Sequence, residues 1–389
     1  MKYNNKNHKM NINFLRIDKV VFIISLFLLV GCESGGTDID DTDEIIDTSL
    51  QFVHPGVING LDNLEILRQD NFSAEQHSSY NALLTFIRNN RISDSYPKLV
   101  YIEGPTAPTT ATPTATQMRY DALLSYAYAV NWVCTGEANN AESAMHILNG
   151  WAENFQRFVA VKVTSEQLQL VASWIVPTFV AAAEIIRYYK TDDHKGSGWT
   201  SEEIQQFSDF LNKMIDDYVD PMIIEIDQNN RRLNNWGASA GYTKMAAGIF
   251  LNEKSIYDDG KRIINKLIPI VIKPDGQVYE LCERDCSHPQ YSMTAFTYSA
   301  EIARIQGDET LYKLESNRIE KGWEWTAKAF AGQLDCRDCS TSKIFPAVEL
   351  AVKYYDASTH LALFARKQRP YNQISSLFIG FTTLTHFSK

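Results

Sequence analysis

Two windows of this chain gather side chains that can grip an anion or move a proton. The first, Arg231-Arg232-Leu233-Asn234-Asn235-Trp236-Gly237, sets two guanidinium groups, two amides and an indole just ahead of a helical stretch over 237–251. Amide donors and a helix N-terminus suit a negatively charged group or a sugar hydroxyl, and Trp236 offers a flat face to a sugar ring. The plainer alternative is a turn with an N-cap asparagine and a core tryptophan. In the second window Asp275-Gly276-Gln277 suggests a turn. It is followed by Glu280-Leu281-Cys282-Glu283-Arg284-Asp285-Cys286-Ser287-His288-Pro289-Gln290-Tyr291. Arg284 and His288 have the spacing of a helical i,i+4 pair, but Pro289 argues against a regular helix through them. They are placed on a loop entering a helix over 291–306. The plainer alternative here is an Arg284–Asp285 ion pair, an exposed His288 and a core Tyr291.

The elements that must hold these windows are helical. Ser73-Ala74-Glu75-Gln76 is a capping box ahead of an apolar face made by Tyr80, Leu83, Leu84 and Ile87. Thr200-Ser201-Glu202-Glu203 repeats the device before Ile204, Phe207, Leu211, Met214, Ile215 and Tyr218. Ala295, Tyr298, Ile302 and Ile305 form another stripe, which Gly307 is placed to end. Further helices are predicted near 119–135, 140–158, 168–189, 254–272, 310–330 and 345–356, and strand-like alternation is scarce. Helical hairpins whose apolar faces must close on one another predict an all-α fold, an incomplete α/α toroid with a groove at one end. A two-domain helical protein is the competing arrangement. The Pro-, Thr- and Ala-rich run from Gly104 to Thr116 reads as an extended loop.

The N-terminus reads as an address. Lys2, Lys6, Lys9, Arg16 and Lys19 precede an apolar run, Val20 to Val30, too short to span a bilayer. Leu29-Val30-Gly31-Cys32 resembles a lipobox, which makes residues 1–31 a signal peptide and Cys32 the lipidated N-terminus. Residues 32–49, acidic from Asp38 to Asp47, are expected to be a flexible tether, and 50–389 the folded domain. The expectation is an exported bacterial lipoprotein on the outer membrane, facing the periplasm or the cell surface, touching the membrane through its lipid alone. Removing the leader takes the formal charge from −10 to −14, which argues against broad nucleic-acid binding. Beyond Cys32 there are five cysteines, Cys134, Cys282, Cys286, Cys336 and Cys339. The last four fit two disulfides or one zinc site, with disulfides favoured in an exported protein. Nucleotide loops, His-x-x-x-His metal pairs and serine elbows are not found, and no cofactor or catalytic metal is expected.

Taken in order, several segments resemble the alginate lyase family of polysaccharide lyases. They are His54-Pro55-Gly56 with Leu61 to Leu67, Trp132-Val133-Cys134-Thr135-Gly136 with Ala144 to Trp151, and Asn234-Asn235-Trp236-Gly237. Arg284-Asp285-x2-His288, Ala300-Glu301-Ile302-Ala303 and Gln306-Gly307 complete the set. The resemblance implies an α/α toroid and β-elimination of a polyuronate, that is, alginate or a related uronic-acid polymer. It places Asn235 and Arg284 on the sugar carboxylate, with Asn234, Trp236 and Arg232 binding substrate. Tyr291, seven residues after Arg284, becomes the acid and a candidate base. Several relatives have histidine where this chain has Trp236, which cannot transfer a proton. His288 is then the replacement base or an orienter of Tyr291. Arg231, Arg232 and Arg284 are candidates for a local positive patch, to which Arg366, Lys367 and Arg369 either add or read more simply as a solvated basic turn. Two alternatives compete: a glycoside hydrolase using Glu280, Glu283 or Asp285, and a non-catalytic surface glycan-binding lipoprotein.

Overall fold

The computed structural model describes residues 51–69, 71–104, 114–191, 195–355 and 360–388. The leader, Cys32, the tether and most of the Gly104 to Thr116 run lie outside the described residues. The described residues belong to one compact unit.

Helices dominate it. In chain order they are α1 (Leu61–Arg68), α2 (Ala74–Asn89), α3 (Thr114–Thr135), α4 (Ala138–Asn154), α5 (Ser165–Tyr188), α6 (Ser201–Met214) and α7 (Asp220–Gln228). They continue with α8 (Asn235–Leu251), α9 (Lys254–Val271), α10 (His288–Ile305), α11 (Thr310–Phe330), α12 (Val348–Tyr355), α13 (His360–Gln368) and α14 (Thr382–His386). Both capping boxes form: Ser73 Oγ accepts from the Gln76 amide and Thr200 Oγ1 from the Glu203 amide.

Burial separates the helices into two layers. In α8 every residue from Gly237 to Phe250 is buried, and α5 and α10 are buried over most of their length. A helix that is apolar or small-residue on all sides has no face for water and must lie inside. The inner helices α3, α5, α8 and α10 pack in succession, and α4, α6, α9 and α11 pack outside them. Short helices α12 and α14 link α10 back to α1 and α2. This is the expected all-α toroid of hairpins.

The boundaries depart from expectation in places, each for a physical reason. The helix expected over 140–158 ends at Asn154. Phe155 turns the chain into β2 (Arg157–Val161), which pairs in parallel with β1 (Leu99–Glu103), Leu99 opposite Arg157 and Glu103 opposite Val161. That pairing is long-range and invisible to local periodicity. The stripe ending at Tyr218 passes through a π-helical turn, Ile215–Val219, ahead of Pro221. Within α11, residues Leu314 to Asn317 leave helical geometry.

Candidate functional site

The first window opens α8. Asn234 is the N-cap, its Oδ1 accepting from the Trp236 amide at 3.2 Å, so its side-chain NH2 is what remains for a ligand. Asn235 is the first helical residue and is fully buried. Gly237 is required here, because a Cβ would come within 2.5 Å of the Arg232 carbonyl that accepts the Gly237 amide. Arg232 stands at φ 59° and lays its guanidinium 4.0 Å over the Trp236 ring, with Glu166 at 3.9 Å. One face of Trp236 is therefore taken by a cation.

The second window turns at Gly276, φ 93°, and reaches Asn235 through Glu280. Asn235 Nδ2 donates to Glu280 Oε2 at 3.0 Å, and Arg284 Nη1 donates to Glu280 Oε1 at 2.6 Å. Glu280 is buried and sits at φ 72°, left-handed for a non-glycine residue. Such backbone persists only where its surroundings determine it, and here the surroundings are two cation or amide donors. Arg284 is half exposed, and its Nε lies 3.9 Å from Asp285 Oδ2. Asn235 keeps a second amide hydrogen, and its buried Oδ1 has no partner among the described residues.

Asp285 begins the proton-transfer side. Its Oδ1 accepts from the Ser287 and His288 amides, both at 2.8 Å, and so caps α10. Its Oδ2 lies 2.6 Å from His288 Nδ1. Burial works to raise the Asp285 carboxyl, but the two amides and the imidazole outweigh it and hold the group below the usual carboxylate range. An ionised Asp285 selects the His288 tautomer with hydrogen on Nδ1 and a lone pair on Nε2. His288 is the first residue of α10, with Pro289 tolerated in the first turn, so the helix starts earlier than expected. One turn on, the Tyr291 ring lies 5.3 Å from the His288 ring and against Trp174, Phe345 and Phe378. Burial pushes the Tyr291 phenol above its usual value, Asp285 adds to the rise, and Arg284 opposes it.

The four cysteines form two disulfides, Cys282–Cys336 and Cys286–Cys339, which settles zinc against disulfide in favour of the latter. They tie the second window to the segment carrying Arg337. That guanidinium donates to the carbonyls of Leu281, Cys282 and Arg284 and brings a cation beside Arg284. The structure thus brings together Asn235, Arg284, His288 and Tyr291, with Glu280, Asp285, Trp174 and Arg337 as neighbours that sequence reasoning gave no such part. Two members of the expected basic patch are engaged elsewhere. Arg369 is buried against Glu349, held there by Thr383 and Ser388, and Arg231 pairs with Glu225 at 3.1 Å. Arg369 was misplaced because a basic run reads as solvated until its buried carboxylate is seen.

The class is that of the polysaccharide lyases, carried by a family match and by the toroid fold shared with solved structures. The alginate lyase family matches residues 68–335, and the chain belongs to it. No curated protein matches significantly. Among solved structures, alginate lyase A1-III from Sphingomonas species A1 is 13% identical with a TM-score of 0.65, covering 87% of this chain and 98% of that one. An alginate lyase from Bacteroides ovatus is 11% identical with a TM-score of 0.61, covering 86% and 99%. A variant of alginate lyase A1-III complexed with tetrasaccharide is 14% identical with a TM-score of 0.65, covering 88% and 98%. At these identities the likeness is one of fold.

Proposed function

We propose that this lyase cleaves a polyuronate, alginate or a related uronic-acid polymer, by β-elimination, using Asn235 and Arg284 on the carboxylate and His288 and Tyr291 on the protons. The carrying observation is the Asp285–His288 pair set beside Tyr291, one turn from the Asn235–Glu280–Arg284 chain.

The C5 hydrogen of a uronate is poorly acidic while the neighbouring carboxylate keeps its charge. Donors from Arg284 and Asn235 withdraw that charge and stabilise the enolate that develops as the proton leaves. His288 Nε2 takes the C5 proton, with Asp285 stabilising the imidazolium. The C5 electron pair forms the C4=C5 double bond, the C4–O bond breaks, and Tyr291 gives its proton to the departing oxygen. Proton transfer from His288 back to the phenolate, directly or through water, restores the site. A buried phenol kept protonated suits the acid role.

Hydrolysis by paired carboxylates needs one carboxylic acid that holds its proton. Asp285 is held below its usual range, which does not suit that part, and both oxygens of Glu280 are taken up by Arg284 and Asn235. The lipobox at Cys32 adds the proposal that the enzyme works on an outer-membrane lipid anchor. The test of function is incubation with polymannuronate, polyguluronate and polyglucuronate, following ultraviolet absorbance and reducing ends together. Equal growth of both is expected on at least one polymer. Reducing ends without absorbance would overturn β-elimination.

A further inference from the structure

The carbonyls of Leu281, Cys282 and Arg284 share a single donor. Arg337 Nε donates to Leu281 at 3.2 Å, and its Nη2 donates to Cys282 and Arg284, both at 3.1 Å. Among the described residues these three carbonyls accept no other hydrogen bond, and Arg337 pairs with no carboxylate. Oxygens that converge in this way repel one another, and a planar cation with N–H groups in fixed directions relieves that repulsion.

The turn held in this way carries the carboxylate grip. It opens at Glu280 in left-handed backbone and closes with the Arg284 amide on the Glu280 carbonyl at 2.9 Å. Arg284 therefore takes its direction from two partners, Glu280 on its side chain and Arg337 on its carbonyl. Arg337 is not what keeps its own segment in place. Cys282–Cys336 and Cys286–Cys339 flank it, and Cys339 is fully buried with its amide on the Ala329 carbonyl at 3.0 Å. Farther along, the buried Gln290 side chain donates to the Lys343 carbonyl at 3.3 Å and accepts from the Phe345 amide at 2.6 Å. With the segment stapled at these points, the guanidinium is left to shape the turn.

We propose that Arg337 is a positioning residue for the reaction, fixing the 281–284 turn and through it aiming Arg284 at the substrate carboxylate. The inference rests on the polyuronate reading. Arg337→Gln is expected to lower kcat about tenfold on a free-acid oligouronate, with KM changed less, and to spare the methyl ester. In the Arg284→Ala background the same change should cost no more than about twofold. A merely structural loosening would slow both substrates alike and add to Arg284→Ala. Arg337→Lys, which keeps the charge but not the forked donors, is the second variant and should show the same acid-selective loss on a smaller scale. Hydrogen exchange reads the turn without catalysis: Arg337→Gln should speed amide exchange over residues 281–286 and leave α8 unchanged. If the wild type cleaves no polyuronate yet exchange responds in this way, the lyase reading falls and the hold of Arg337 on the turn stands. Cleavage with an equal loss on acid and ester, a loss fully additive with Arg284→Ala, or exchange unaltered over 281–286 overturns the inference.

Discussion

Replacing Glu280 by glutamine keeps the side-chain volume and an acceptor for Asn235 Nδ2, but removes the charge that holds Arg284. The Arg284 Nη1 bond to Glu280 at 2.6 Å is charge-assisted. A hydrogen bond to a charged group contributes about 1.5–3 kcal/mol, and Arg284 is half exposed, so the lower part of that range applies. If that energy serves to aim Arg284 at the substrate carboxylate, its loss appears in kcat/KM as roughly a 10- to 30-fold fall, at 1.36 kcal/mol per tenfold. Arg284→Ala alone should cost on the order of 10²–10³. The informative measurement is the cycle between them, by initial rates of absorbance on the best polyuronate. In the Arg284→Ala background Glu280→Gln should cost only a few-fold, because there is no guanidinium left to aim. Thermal melts check that each variant folds. Fully additive losses would refute the view that Glu280 acts through Arg284.

Three further outcomes are expected. Tyr291→Phe should abolish elimination while leaving oligouronate binding, and since burial raises the phenol, any alkaline limb of kcat/KM owed to Tyr291 should lie above pH 10; a Tyr291-dependent limb near neutrality would contradict the acid role. Reducing Cys282–Cys336 and Cys286–Cys339 should unfix the 280–291 segment; the chain-entropy model gives about 4 kcal/mol for one loop of such length, so melting temperature and activity should fall together, and a reduced enzyme of full activity would show the staples idle. His386 is fully buried between Thr385 and the Ile58 carbonyl, and burial, with Lys353 and Arg304 nearby, depresses its pKa well below the ordinary value. The folded state therefore binds fewer protons at His386 than the unfolded chain does, and this residue by itself should lower stability by roughly 0.8 kcal/mol from pH 7.5 to 6.0. The carboxyl of Asp121, raised to about 6, takes up protons over the lower part of the same range and offsets roughly half of that drop, so the check is the difference between wild type and His386→Asn in chemical-denaturation stability, which should carry the His386 slope alone.

How much of this was legible in the sequence depended on whether the signal was local. Capping boxes at Ser73 and Thr200 and the stripes of α2, α6 and α10 are short-range patterns, and they placed helices correctly. The β1–β2 pair was not visible, since Leu99–Glu103 and Arg157–Val161 make a strand pair only with each other. In the site, the two windows were found by the density of reactive groups. Their meeting through Glu280 needed three dimensions. A signal for Asp285 was present: Asp-x-x-His at the start of a helix is the spacing of a side-chain cap that also reaches the imidazole.

The central claim is that this site cancels the charge of a uronate carboxylate. Methyl esterification does the same covalently, so wild type and Arg284→Ala should be compared on a free-acid oligouronate and on its methyl ester. The account expects Arg284→Ala to lose on the order of 10²–10³ in rate on the acid and far less on the ester. An equal loss on both substrates would contradict it.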